Sequence, residues 1–128
     1  MTDYREWIKR AKSSFKYSKA KIDDDIYYED RCGKVHEAVE KAFKGLLMYY
    51  GAIPERTHDL RRLCLELRKY TIVPKEIELS VILNPYAVET KYPGDFEVVT
   101  EKEYLRALEI AQLCLDWVDI RITENKGD

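Results

Sequence analysis

Glycine is scarce in this chain, five in 128 residues, and none of the five builds the G-x-G-x-x-G or G-x-x-x-x-G-K-[ST] turns that let a backbone wrap phosphates. The standard phosphate-binding loops are excluded. Histidine is scarcer still: His36 and His58 are the only two, the cysteines Cys32, Cys64 and Cys114 stand far apart, and no zinc-type spacing occurs. No metal and no other cofactor is expected. Set singly among apolar neighbours, the three cysteines read as buried, reduced thiols of a cytoplasmic protein. Long apolar runs are missing as well. Nothing approaches the roughly 20 residues that cross a bilayer, and the N-terminus is charged from Asp3 onward, so neither a membrane span nor an export signal is expected. Neither charge sign dominates: 22 Lys+Arg against 24 Asp+Glu leave a formal net charge of -2. That rules out a global basic field, and any contact with RNA has to be local. The catalytic patterns G-x-S-x-G and H-E-x-x-H are also absent.

What remains is a globular mixture, 45% hydrophobic and 36% charged, long enough to bury a core without disulfides. One domain spanning residues 1–128 is expected. Its apolar residues keep helical time. Tyr4, Ile8, Ala11, Phe15 and Ile22 recur in steps of three, four or seven and predict a helix over residues 3–22. The run Asp23 to Asp25 and the pair Tyr27 and Tyr28 interrupt the pattern. Cys32, Val35, Val39, Phe43, Leu46 and Tyr50 restart it as a second helix that ends near Gly51 in a left-handed cap.

Thr57 is the expected N-cap of a short third helix with Leu60, Leu63, Cys64 and Leu67 on its inner face. Pro74 opens a fourth element that Pro85 should kink or end. Thr100 and Glu103 form a capping-box pattern ahead of Tyr104, Leu108, Ala111, Leu115, Val118 and Ile122. No segment alternates like a strand for long enough to build a sheet. The expectation is an all-α, up-and-down bundle of four to five helices.

Chemistry-bearing residues are few. Three consecutive carboxylates at Asp23, Asp24 and Asp25 do not converge on a cation by themselves, so they read as a solvated turn. Arg56, Arg61, Arg62, Arg68 and Lys69 give the third-helix region a local basic surface, which suits either phosphates or plain solvation. Ten tyrosines are many for this length. Tyr27, Tyr28, Tyr49, Tyr50, Tyr86 and Tyr92 fall around predicted helix ends, where tyrosine serves either to close a core edge or to stack on a base.

Three stretches carry a family resemblance. His36–Leu47, with Glu40, Lys41, Ala42 and Lys44, is similar to a "Q-x-x-E-K-A-x-K-x-L" helix, His36 falling near the glutamine. Thr57, His58, Asp59 and Leu60 match "T-H-D-L", and Lys91, Tyr92 and Pro93 resemble an "R-Y-P" turn. In this order the three resemble the HEPN family, the higher eukaryotes and prokaryotes nucleotide-binding domain. Physical chemistry offers each stretch a second account, and for the third it is that Lys91 and Tyr92, held extended before Pro93, simply close the bundle's end. Glu37 with Lys41 and Glu40 with Lys44 are favourable i, i+4 pairs of an exposed helix. Thr57 and Asp59 suit a helix N-terminus. His58 is not needed for capping and is either a histidine hydrogen-bonded between helices or a functional one.

The resemblance implies a small stand-alone HEPN protein, a nucleotide- or RNA-binding accessory subunit of a separate minimal nucleotidyltransferase, of the kind found in toxin–antitoxin pairs. It also implies a homodimer. The nucleotide site it implies is Lys44, His58, Lys91 and Tyr92, with Lys91 in place of an arginine and so without the two-pronged phosphate geometry. The family's ribonucleases suggest an alternative: their R-x(4-6)-H signature has a literal match in Arg31 and His36, which would act as a metal-independent catalytic pair. Residues five apart on one helix point about 140° apart, so that pair converges only if the helix begins after Arg31. A structural interaction module is the third alternative.

Overall fold

Asp3 starts the first helix by accepting hydrogen bonds on its carboxylate from the backbone N–H of Arg5 (2.8 Å) and Glu6 (3.3 Å). The computed structural model describes residues 3–20, 25–87 and 98–124. Within them α1 spans Tyr4–Lys19, α2 Tyr28–Tyr49, α3 Leu60–Leu67, α4 Lys75–Glu78 and α5 Glu101–Glu124, with a 3-10 segment, Leu79–Tyr86, directly after α4. No strand occurs among the described residues.

Two helix boundaries differ from expectation. α1 stops at Lys19, three residues early, because Ala20 is extended (φ -65, ψ 136); Ile22, Asp23 and Asp24 lie outside the described residues. α2 begins at Tyr28, so Tyr28 opens the helix it was expected to precede, and its ring packs 5.3 Å from that of Tyr104. The other end of α2 is as read. Gly51 has φ 88, its N–H donates to Met48 O, and Ala52 N–H donates to Leu47 O, both at 2.9 Å. This paired closure needs a left-handed residue, which glycine adopts without a Cβ clash.

The α3 cap also shifts. Asp59, not Thr57, caps the helix, accepting from Arg61 N–H at 2.9 Å, while the Thr57 hydroxyl accepts from Asp59 N–H at 3.1 Å one turn-segment earlier. The reason is Asn84. Its amide oxygen accepts from Leu60 N–H (3.0 Å) and its amide nitrogen donates to Asp59 Oδ1 (2.8 Å), fastening the start of α3 to the 3-10 segment. The fourth element is irregular as expected: one α turn after Pro74, then 3-10 geometry that accommodates Pro85. At α5 only half of the capping box forms. Thr100 Oγ1 accepts from Glu103 N–H at 3.1 Å, but the Glu103 carboxylate accepts from the Tyr86 hydroxyl at 3.1 Å instead of returning to Thr100.

Asn84 meets Asp59 while Glu78 meets Arg68, so α3 and the segment made of α4 and the 3-10 turn run antiparallel to each other as a short hairpin between α2 and α5 in the chain. Tyr4 meets Tyr49 and Ser14 meets Glu37, so α1 and α2 are antiparallel; Tyr28 meets Tyr104 and Phe43 meets Trp117, so α5 runs with α2. α2 is the central rod, in contact with α1, α3, the 3-10 segment and α5. Val35, Ala38, Val39, Ala42, Phe43, Leu46 and Leu47 are all buried on it. Because neighbours surround it, its polar residues are buried too, and the functional candidates arise there.

Candidate functional site

His36, Glu40 and Lys44 follow one another at steps of four along α2, which places them on one face. They are 2%, 8% and 7% exposed. Lys44 Nζ donates to Glu40 Oε2 at 2.8 Å. The other carboxylate oxygen, Oε1, lies 2.8 Å from Nδ1 of His58, contributed by the loop between α2 and α3. An ionised carboxylate only accepts, so Nδ1 carries the proton and Nε2 of His58 remains for another partner. The His58 side chain is 70% exposed. The exchange of a solvent-facing imidazole with a buried carboxylate, itself matched by a buried ammonium, is the main polar feature of the fold. It equips Nε2 to donate to, or accept from, a ligand oxygen at the surface.

His36 Nδ1 stands 4.0 Å from Glu40 Oε1, and its Nε2 is buried with no well-formed hydrogen bond among the described residues. Burial holds the imidazole pKa below its ordinary value, against the Glu40 charge, the Asn84 amide and the His58 backbone, which favour the charged form. His36 therefore belongs to the support of the cluster, behind Glu40.

Lys44 is held from the other side by α1. Its Nζ lies 5.8 Å from the centre of the Trp7 ring. Gly45 makes that approach possible, since a Cβ there would stand 2.7 Å from Ile8 Cδ1 and 3.0 Å from Trp7 Cβ. Asn84, already holding Asp59 and Leu60, fixes the loop that presents His58.

Of the residues expected at a nucleotide site, Lys44 and His58 are thus brought together through Glu40, while Lys91 and Tyr92 lie outside the described residues. Lys44 does not face solvent. Its ammonium is committed to Glu40, so the pair with Lys44 is a buried one and not the exposed-helix pair expected from spacing; Glu37, with Lys41 and Ser14, is the more exposed of the two i, i+4 pairs. Glu40, Trp7 and Asn84 went unnoticed as site residues. The i, i+4, i+8 spacing of His36, Glu40 and Lys44 was the available signal for the first; the other two come from α1 and the 3-10 segment and have no local signature.

Arg31 and His36 are not brought together. Both lie inside α2, which starts three residues before Arg31, so they point about 140° apart within one chain. Arg31 Nη1 donates to the carbonyls of Ser18 (3.2 Å) and Ala20 (2.7 Å), satisfying the C-terminal end of α1 beside the Tyr104 hydroxyl, which donates to Ser18 O at 2.6 Å. With Tyr17 and Lys34, Arg31 lines a cavity of about 280 Å³ there. Of the basic surface, Arg62 pairs with Glu55 and Arg68 with Glu78, leaving Arg56, Arg61 and Lys69 as its exposed unpaired cations among the described residues. Cys32, Cys64 and Cys114 are free and buried, and burial pushes the Cys32 and Cys114 thiols up to about 12. Among the described residues no cluster of His, Cys, Asp or Glu is arranged to hold a metal ion, and no helix is long and apolar enough to cross a membrane.

Comparison with known proteins places this architecture. The crystal structure of an archaeal HEPN homologue superposes with a TM-score of 0.76 at 27% identity, over 95% of this chain and 99% of that one. A crystal structure from Thermus thermophilus superposes with a TM-score of 0.79 at 25% identity, over 93% and 98%. No curated protein matches at the threshold these structures meet. The family model of the HEPN domain matches residues 4–121, nearly the whole chain, and the chain accordingly belongs to the HEPN domain family.

Proposed function

We propose that this HEPN protein is an accessory subunit without catalysis of its own, which binds a nucleotide or an RNA end at His58 and serves a separate minimal nucleotidyltransferase as a homodimer. Membership in the family supports a nucleotide- or RNA-related role. The observation that carries the choice of site is the exposed His58 imidazole anchored at 2.8 Å on the buried Glu40, because that anchor fixes the ring and leaves Nε2 for a phosphate oxygen. In this reading Lys44 works through Glu40, Arg56 and Arg61 supply charge on either side of His58, and Lys91 and Tyr92 complete the site. The absence of catalysis is supported by the separate engagements of Arg31, on the end of α1, and His36, in the interior.

Titration with adenosine monophosphate tests it. Binding is expected for the wild type, with a loss of about tenfold for His58→Ala, the size of one charge-assisted hydrogen bond, and a comparable loss for Lys91→Ala with Tyr92→Ala. Unaltered binding in His58→Ala removes the site. Metal-independent RNA cleavage that disappears in His36→Ala would establish the ribonuclease alternative, and a monomer in sedimentation at micromolar concentration would remove the dimer.

A further inference from the structure

The tyrosines noticed in the sequence are not scattered in space. Tyr4 of α1 meets Tyr49 edge-on at 5.1 Å, Tyr49 meets Tyr50 at 5.6 Å, and Tyr50 lies parallel to Tyr70, beyond α3, at 5.5 Å and 5°. Four rings from three parts of the chain form one row at the C-terminal end of α2. A row serving only the core would be closed over, but Tyr70 is 45% exposed although one of its faces is covered by Tyr50. Cations border both ends. Exposed Arg5 holds its guanidinium 5.4 Å from the Tyr4 ring, and exposed Lys69 adjoins Tyr70 with no acidic partner. The nearby Asp3 carboxylate is committed to the first amides of α1.

The row also continues the His58 cluster. Trp7, against Lys44, sits one turn from Tyr4 on α1. Along α2, Glu40 and Tyr49 are nine residues apart, about 13 Å at 1.5 Å per residue. Tyr4, Tyr49 and Tyr50 are half-buried against the core and present the exposed Tyr70 ring at the end of the row. An exposed ring backed by others and flanked by cations, with a polar anchor one short span away, matches the way proteins hold single strands, where rings stack on bases and basic side chains follow the backbone.

We infer that Tyr70, backed by the Tyr50–Tyr49–Tyr4 row, is a stacking platform for single-stranded nucleic acid, and that the His58 site takes the end of a strand in preference to a free mononucleotide. This rests on the His58 reading above. Charge complementarity selects the occupant, since an acidic or purely apolar partner leaves Arg5 and Lys69 without a role.

The test compares a uridine mononucleotide, tetranucleotide and octanucleotide by tryptophan fluorescence titration. Affinity is expected to rise from mononucleotide to tetranucleotide. Tyr70→Ala should weaken the tetranucleotide about tenfold, as for one lost stacked base, and leave the mononucleotide unchanged; Tyr70→Phe keeps the ring and should keep the affinity. Arg5→Gln should reduce the salt dependence of oligonucleotide binding. Equal affinity for all three lengths, or a tetranucleotide affinity untouched by Tyr70→Ala in a protein with unchanged circular dichroism, overturns the stacking surface while leaving mononucleotide binding at His58 standing. Length-dependent binding that responds to Tyr70→Ala but not to His58→Ala instead overturns the link to His58 and keeps the row.

Discussion

His58 and Glu40 meet at 2.8 Å across eighteen residues of sequence, one side chain 70% exposed and the other 11%. The contact ties the loop before α3 to the centre of α2, and Lys44 closes it from behind. Removing Glu40 therefore does more than free His58, for it leaves a buried ammonium with no counter-charge. Glu40→Ala is expected to cost about 3–5 kcal/mol of stability, the range for breaking a buried ion pair. Glu40→Gln keeps a hydrogen-bond acceptor and should cost less, and Glu40→Met with Lys44→Met less than Glu40→Ala. Urea unfolding of the three variants decides; a double variant as unstable as Glu40→Ala would show that the ammonium is not what suffers.

Gly45 invites a second measurement because two effects compete there. In a free helix, alanine is better than glycine by about 1 kcal/mol. Here the added methyl meets Ile8 Cδ1 at 2.7 Å and Trp7 Cβ at 3.0 Å. The second contact is close to the α1 backbone and cannot swing away. Gly45→Ala should thus destabilise by about 1–3 kcal/mol, as overpacking does, and Ile8→Val, which removes Cδ1, should recover part of it. A Gly45→Ala variant more stable than wild type would mean that α1 shifts freely on α2.

Periodicity alone gives the helical class, because Val35, Val39, Phe43 and Leu46 keep 3.6-residue time and are all buried. The Gly51 closure was equally legible, since a left-handed terminus wants glycine. Caps were less so: Thr57 and Asp59 are both suitable, and the choice is made by Asn84, twenty-five residues beyond Asp59. The site was half visible. His58 and Lys44 stood out as residues, but burial of the Glu40–Lys44 pair depends on α2 being enclosed by α1, α3 and α5. The same spacing on an outer helix would give an exposed pair, and Glu37–Lys41, on the same helix, is nearer to that.

Arg31 offers a test of what the R-x4-H match is for. Its guanidinium holds the carbonyls of Ser18 and Ala20 at the end of α1, where helical partners have run out. A hydrogen bond involving a charged group contributes about 1.5–3 kcal/mol, and the two contacts here share one nitrogen, Nη1. Arg31→Ala should therefore lower stability by about 2 kcal/mol and leave nucleotide binding at His58 intact. Lost binding or RNA cleavage, with stability unchanged, would assign Arg31 to chemistry instead of to the helix end.

The depressed pKa of His36 makes stability depend on pH with a definite sign. Burial disfavours the imidazolium in the folded protein, whereas the unfolded chain protonates near the ordinary value of 6.5. Below that value the unfolded state binds more protons, so stability is complete above it and falls as pH drops toward the folded pKa. Glu40 and His58 adjoin the ring, so variants must separate the contributions. The melting temperature of the wild type is expected to hold above about pH 6.5, the ordinary histidine value, and to fall as pH drops below it. His36→Gln, neutral throughout, should lower stability at the upper pH but flatten the dependence, while His58→Gln should leave most of it. An unchanged pH slope in His36→Gln would move the effect to other groups and leave the buried imidazole as packing alone.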